Sequence, residues 1–461
     1  MNAVAEWIRA LPRRYGRRTL IALGLIALLG LAVRAYVVVD PVEHPGDDSR
    51  AYYAISKALY TEQSFGGSEF EDSSDWSPGA PFLYAASFYA TGGAREGTAR
   101  IVEALLGVAT ILVVFALGWR LGGRELGRWV GLFAAFAVAV YPPFIHSTGV
   151  IMSEPPAMLT LPAAILAFLW AGDREGTWPW LVPGLLFGLT AMFRPEYLLV
   201  GAVFVGLAAI RALERRGWRL GLAGAAVLLV ALVIPILPWT IRNVVVLDRV
   251  VPISTGGGKA LYVGTYLPAD GEYQRVKAKL AEQQLSWWGA SADPDSQELD
   301  ELDPTVLFDE VAREVQQEHP GLTRDEALGR AGKENFDKYF GEDPWGYAAM
   351  TVRKVGRMWS SGVGEAMSST AGRAVQILLV ALGLAGLALL GLRRRWWELI
   401  TLALPIAIVT VVGAVTLAAP RRNEVLMTLV FPLAGLALAS GLAAISSARK
   451  WSSEQASSPP S

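Results

Sequence analysis

The chain has 461 residues, 53% of them hydrophobic and 18% charged, with a mean hydropathy of +0.36. Soluble domains carry roughly 25% charged residues, so an ordinary water-soluble globule is excluded, and a net charge of −1 gives no basic surface for nucleic acid. With no cysteine, a disulfide framework and a thiolate metal site are ruled out.

The apolar residues fall in blocks long enough to cross a bilayer, which takes about 20 residues as a helix. The first block follows Arg13, Arg14, Arg17 and Arg18 and runs to Val39. It is too long for a signal-peptide core and lacks a small-residue cleavage site after it, so it reads as an uncleaved span. About ten spans are expected by length and apolarity, at 19–39, 98–119, 129–145, 150–171, 178–193, 195–211, 219–239, 374–392, 397–418 and 424–446. GAPFLYAASFYATGG, at 79–93, is too short to cross and reads as a re-entrant or interfacial helix.

With that count, four arginine clusters share one face: Arg13 to Arg18, Arg120 to Arg128, Arg211 to Arg219 and Arg393 to Arg395. The positive-inside rule makes this face cytoplasmic, with both termini on it, in a multi-pass plasma-membrane protein. The expected division is an N-terminal membrane module over 1–239 with an acidic outer loop at 40–95, an extracytoplasmic region over 240–372, final spans over 373–446 and a disordered tail over 447–461. Within the outer region, DEVAREVQQ and TRDEALGRAGKENFDKYF read as solvated helices. PWGYAAMTVRKVGRMW reads as an interfacial helix, with Trp345, Val352 and Trp359 opposite Arg353, Lys354 and Arg357.

Charges also collect at the outer ends of the spans, in five separate stretches. Asp47 and Asp48 follow the first span, Glu154 opens the fourth, Arg194 and Glu196 lie between the fifth and sixth, Arg242 ends the seventh, and Arg421 and Arg422 open the last. Ionisable groups at membrane depth are costly and tend to mark a substrate path. Carboxylates deprotonate a hydroxyl or hold a metal, and the guanidinium fork matches phosphate oxygens. Together they point to a substrate linked to a lipid phosphate.

Blander roles compete at each position. Asp48 suits a helix N-cap, Glu154 a cap with Pro155 at the next position, and Arg194 and Arg242 interfacial anchors. GGGK at 256–259 departs from the P-loop pattern and reads as a flexible loop with Lys259 as a phosphate candidate. Trp287 and Trp288 fit either sugar stacking or the membrane interface.

The ordered set GDDSRAYYAISKALY, WSPGAPFLYAASFY, SEPPAMLTLPAAI, FRPEYLLV, PWTIRN and PRRNEVLMTLVFPL resembles bacterial membrane glycosyltransferases of the GT-C class, akin to glycosyltransferase family 39 and the protein O-mannosyltransferases. The resemblance implies an all-α polytopic fold of about ten transmembrane helices with interfacial helices in the outer loops. It implies transfer of a sugar from a polyprenyl-phosphate donor to a lipid, glycan or protein acceptor outside the cytoplasm, with inversion and an acidic base from the first outer loop. Asp48 is then favoured as base over Asp47, with Tyr52, Glu154, Arg194, Arg242, Arg421, Arg422 and Lys259 around substrate and lipid phosphate. PRRNE departs from the aromatic-containing motif of many relatives, leaving the lipid-phosphate role open between Arg421 and Arg422. No cofactor is certain; a divalent metal on Asp47, Asp48 and Glu154 stays open. The competing functions are a transporter or lipid flippase and an assembly protein of the envelope. Against the transporter stand charges at the rim rather than the midplane and the lack of repeated halves.

Overall fold

The computed structural model describes residues 12–41, 47–66, 73–288 and 291–457. Glu43, Glu69, Glu71 and Asp72, part of the expected acidic loop, lie outside them. Among the described residues there is no strand, and the all-α expectation holds.

The chain opens with α1 (Arg17–Val39), α2 (Asp47–Thr61), α3 (Gly79–Thr91) and α4 (Glu96–Val140). At 45 residues, α4 would be roughly 67 Å long if straight, twice the hydrocarbon core. It is not straight. Gly123 adopts φ 65°, ψ −153°, open to glycine because it has no Cβ, and breaks the helix into two arms. The arms fold back closely enough that a Cβ at Gly118 would meet the Gly131 Cα at 3.0 Å. The spans expected at 98–119 and 129–145 are these arms.

Next come α5 (Glu154–Gly172), α6 (Leu181–Phe193), α7 (Tyr197–Arg216), α8 (Trp218–Val233) and α9 (Leu237–Leu247). The expected span at 219–239 is bent by 50° between α8 and α9, where Pro235 removes a backbone donor. Among the described residues six helices are long and apolar enough to cross a membrane, or seven with that bent pair as one span, whereas Trp178–Phe193 and Tyr197–Arg211 are shorter. The expected ten is reached only by counting both arms of α4 and both short helices.

α10 (Gly257–Thr265), α11 (Tyr273–Gln284), α12 (Pro304–Glu318) and α13 (Arg324–Glu342) gather around a smaller core of Tyr262, Val276, Leu307, Phe308 and Leu328. A capping box between Thr323 and Glu326 starts α13. GGGK is not a flexible loop, as expected, but the start of α10. A Cβ on Gly258 would overlap the Asp325 carbonyl at 1.9 Å, and the Gly258 amide donates to the Asp325 carboxylate at 2.8 Å. Trp288 packs on this core and Trp287 is exposed.

α14 (Pro344–Ser360) turns Lys354 into the protein, where it is buried and donates to the carbonyls of Gly264 at 2.6 Å and Thr416 at 3.0 Å. Trp345 and Val352 face outward, as an interfacial helix requires. α15 (Thr370–Leu392), α16 (Trp396–Val415) and α17 (Arg421–Ser457) complete the bundle. The tail expected to be disordered from 447 continues α17 to Ser457, because the helix ladder runs on beyond its apolar part; 458–461 lie outside the described residues. The main core includes Ile111, Phe115, Leu161, Phe168 and Phe431, while Leu25, Leu28, Val230 and Leu384 point outward. Helices apolar on both sides are what a lipid environment selects.

Candidate active site

α2 places Asp48 in its first turn, and α17 begins at Arg421 after the Pro420 turn. The Arg421 guanidinium donates to the Asp48 carboxylate across 373 residues of sequence. Both side chains keep solvent contact, 36% for Asp48 and 40% for Arg421. Burial pushes the Asp48 carboxyl up, but Arg421, with Lys259 and Arg194 farther off, outweighs it and holds Asp48 below its ordinary range. Asp48 is therefore engaged as an ion-pair partner. The side chain of Asp47 lies outside the described residues.

Behind this pair sits a buried cluster. Glu154, at the start of α5, is 1% exposed. Arg194, in the turn between α6 and α7, donates to Glu154 at 2.5 Å and through Nε and Nη2 to Glu196 at 3.1 and 2.9 Å. Burial alone raises the Glu196 carboxyl, but Arg194 and Arg422 bring it down to about 2. Arg194 is held well above its ordinary value, since Glu196 and Glu154 outweigh its desolvation. The Tyr52 ring packs edge-on against Trp76 at 5.2 Å, and burial, with Glu154 adding, pushes its hydroxyl up to about 12. Lys259 places its ammonium 5.0 Å from the Phe308 ring and 5.3 Å from Tyr273. Its pKa is lowered by burial against an opposing pull from Asp48 and Asp75. Arg422 has a buried Nη1 with no hydrogen-bond partner among the described residues.

One expected residue falls elsewhere. Arg242 lies 4.7 Å from the Trp239 ring and 5.7 Å from Phe65, and donates to Asn243 at 3.1 Å. Aromatic faces and an amide satisfy this guanidinium, and it does not join the Asp48 cluster. The α8–α9 bend turns it aside.

Sequence reasoning did not single out three buried charges. Arg34, fully buried in α1, donates to the carbonyls of Val138 at 3.0 Å and Ala139 at 3.2 Å, satisfying the C-terminal end of α4. Gly107 makes room for it, since a Cβ there would meet Nε at 2.2 Å. Glu103, within α4, accepts from the Tyr84 hydroxyl at 2.7 Å and the Met152 amide at 3.1 Å. Glu424 accepts from Ser147 at 3.4 Å. For Arg34 and Glu103 the available signal was a charge inside a largely apolar run, and for Glu424 its place beside Arg421 and Arg422 at the start of the last span.

The open question of a metal is tested by the donor set. Among the described residues no group of three carboxylate or histidine ligands is suitably placed. Asp48 is paired with Arg421 and Glu154 with Arg194, so the charge a divalent cation needs is already neutralised. Of the three candidate donors, Asp48 and Glu154 are thus each taken up by an arginine, and the side chain of Asp47 lies outside the described residues.

Residues 75–239 match the family model described as dolichyl-phosphate-mannose-protein mannosyltransferase. No curated protein matches the chain. Among solved structures, it is similar to the oligosaccharyltransferase AglB from Archaeoglobus fulgidus in complex with an inhibitory peptide and a dolichol-phosphate, with 15% identity and TM-score 0.54, over 98% of this chain and 53% of that one. The same protein in complex with Zn and sulfate gives 14% identity and TM-score 0.54, over 92% and 49%. The chain thus spans about half the length of these structures. ArnT from Cupriavidus metallidurans bound to undecaprenyl phosphate gives 13% identity and TM-score 0.38, over 90% and 77%, a score that adds nothing to the fold assignment. The family match is thus confined to residues 75–239, within an all-helical membrane fold shared with the oligosaccharyltransferase AglB.

Proposed function

We propose that the chain is a membrane glycosyltransferase that moves a sugar from a polyprenyl-phosphate donor to an acceptor hydroxyl by inverting displacement, with Asp48 as general base. The observation that carries this reading is the Asp48–Arg421 pair, a partly exposed carboxylate and guanidinium brought together from opposite ends of the chain. The family match over 75–239 supports it.

In this reaction the acceptor oxygen attacks the anomeric carbon from the face opposite the phosphate. The bond between that carbon and the phosphate oxygen breaks, its electron pair stays on the polyprenyl phosphate, and the acceptor's proton passes to Asp48. Arg421 serves two partners in turn. At rest it holds Asp48 ionised; when donor binds, its donors turn to the phosphate. Asp48 then loses the charge that depresses it and becomes a stronger base at the moment one is needed. The unpartnered Nη1 of Arg422 offers a second donor to the leaving phosphate. Arg194 and Glu154 engage each other, and we assign them to holding the site rather than touching phosphate. Arg120, Arg211 and Arg395 gather at the opposite end of the bundle, and by the positive-inside rule this supports an extracytoplasmic position for Asp48.

The test is transfer of radiolabelled sugar from polyprenyl-phosphate donors to an acceptor extract in membranes containing the chain. Asp48→Asn should lower transfer by about 10²–10⁴-fold while the protein still inserts. Transfer unchanged in both Asp47→Asn and Asp48→Asn would rule out the proposed base.

A further inference from the structure

A cavity of about 560 Å³ opens at the end of the bundle opposite Asp48, between α5, α7 and α16. Glu154 starts α5 and Asp173 follows its last turn, so the two ends of this 19-residue helix stand roughly 28 Å apart. The floor is apolar, with Phe168, Leu207 and Ile400. The rim is charged. Asp173 pairs with Arg120 at 2.8 Å and lies 3.9 Å from Arg211; Glu214 lies 3.8 Å from Arg211 and accepts from Trp397 at 3.1 Å; Glu398 pairs with Arg395 at 2.9 Å. Arg394 also lines the cavity, and its exposed guanidinium has no ion pair or side-chain hydrogen bond among the described residues.

The backbone at Arg394 gives a second, independent observation. α15 ends in a Schellman turn, in which the Arg395 amide donates to Leu390 at 2.8 Å and the Arg394 amide to Gly391 at 2.9 Å. The residue at the turn is left-handed, and glycine is preferred there. Here it is Arg394, at φ 56°. A strained non-glycine conformer kept where glycine would serve points to a use for its side chain.

We propose that this cavity binds an anionic phospholipid from the adjoining leaflet, its phosphate on Arg394 and an acyl chain along Phe168, Leu207 and Ile400. Charge complementarity selects the occupant: a free guanidinium at the mouth, an apolar slot beneath it, and Trp396 and Trp397, a residue type that favours the membrane interface, in the lining. The site is independent of sugar transfer.

Native mass spectrometry of the full chain, released from detergent with phosphatidylglycerol or phosphatidylcholine, tests this. The wild type should retain one phosphatidylglycerol and shed phosphatidylcholine. Arg394→Gly should lower retention about fivefold without lowering the thermal midpoint, because glycine suits the turn. Leu207→Trp, which fills the slot, should also lower it. Equal retention of the two lipids, or retention unchanged in both variants, would overturn the proposal. Displacement of phosphatidylglycerol by glycerol phosphate alone would overturn the lipid in favour of a soluble phosphate.

Discussion

Arg421 keeps Asp48 ionised, and this sets the pH behaviour of the site. Because the Asp48 carboxyl lies below its ordinary range, the acid limb of transfer activity should lie below the ordinary carboxylate range. Arg421→Gln removes the charge that most strongly opposes burial, so the limb should move upward; a kcat/KM profile carried to the lowest pH the protein tolerates reads the shift. Glu196 gives a stability counterpart. Its folded value of about 2 lies under the unfolded value of about 4.3, so its contribution is full above pH 4.3 and is lost as pH falls toward 2. The thermal midpoint in detergent should drop over that window, and by less in Glu196→Gln. At this scale the sequence was informative where several charges stood at one rim: Asp48, Glu154, Arg194 and Arg421 do meet. It misled at Arg242, because a bend between α8 and α9 decides where that side chain goes. Arg34, Glu103 and Glu424 escaped because a single charge at or inside an apolar run does not announce its partner.

Helix lengths were legible because a bilayer demands them. Helix breaks were less so. Gly123 is one of several glycines in α4, and only its left-handed backbone in the folded chain shows that it is the one that turns. Close packing between spans rests on such small residues. A Cβ on Gly386 in α15 would stand 2.2 Å from the Leu433 carbonyl of α17. Gly386→Val should therefore cost about 1–3 kcal/mol or more, read as a lower thermal midpoint. Gly441→Ala, with nothing within 4 Å of the added Cβ, should leave the midpoint unchanged or slightly higher. The amphipathic pattern of α14 was readable, but one of its three basic residues, Lys354, is buried. Lys354 finds two carbonyl acceptors, and Arg353 donates to Asp270 at 2.7 Å, contacts that no local pattern reveals.

Across the whole molecule, charge is sorted to the two ends of an apolar bundle. One end carries Asp48, Glu154, Arg194 and Arg421; the other carries Arg120, Arg211 and Arg395. Arginine distribution in the sequence anticipated the second group sharing a face, and the contacts among Arg120, Asp173 and Arg211 agree with it. The acceptor was not legible, because pocket shape selects it. The central claim is that Arg421 is shared between Asp48 and a lipid phosphate. Affinity of the purified full chain for polyprenyl phosphate, measured in nanodiscs, tests it most directly. Removing the competing carboxylate in Asp48→Asn should tighten binding about tenfold, or ~1.4 kcal/mol, and Arg421→Gln should weaken it by a similar factor. Weaker binding in Asp48→Asn, or unchanged binding in Arg421→Gln, would contradict the account.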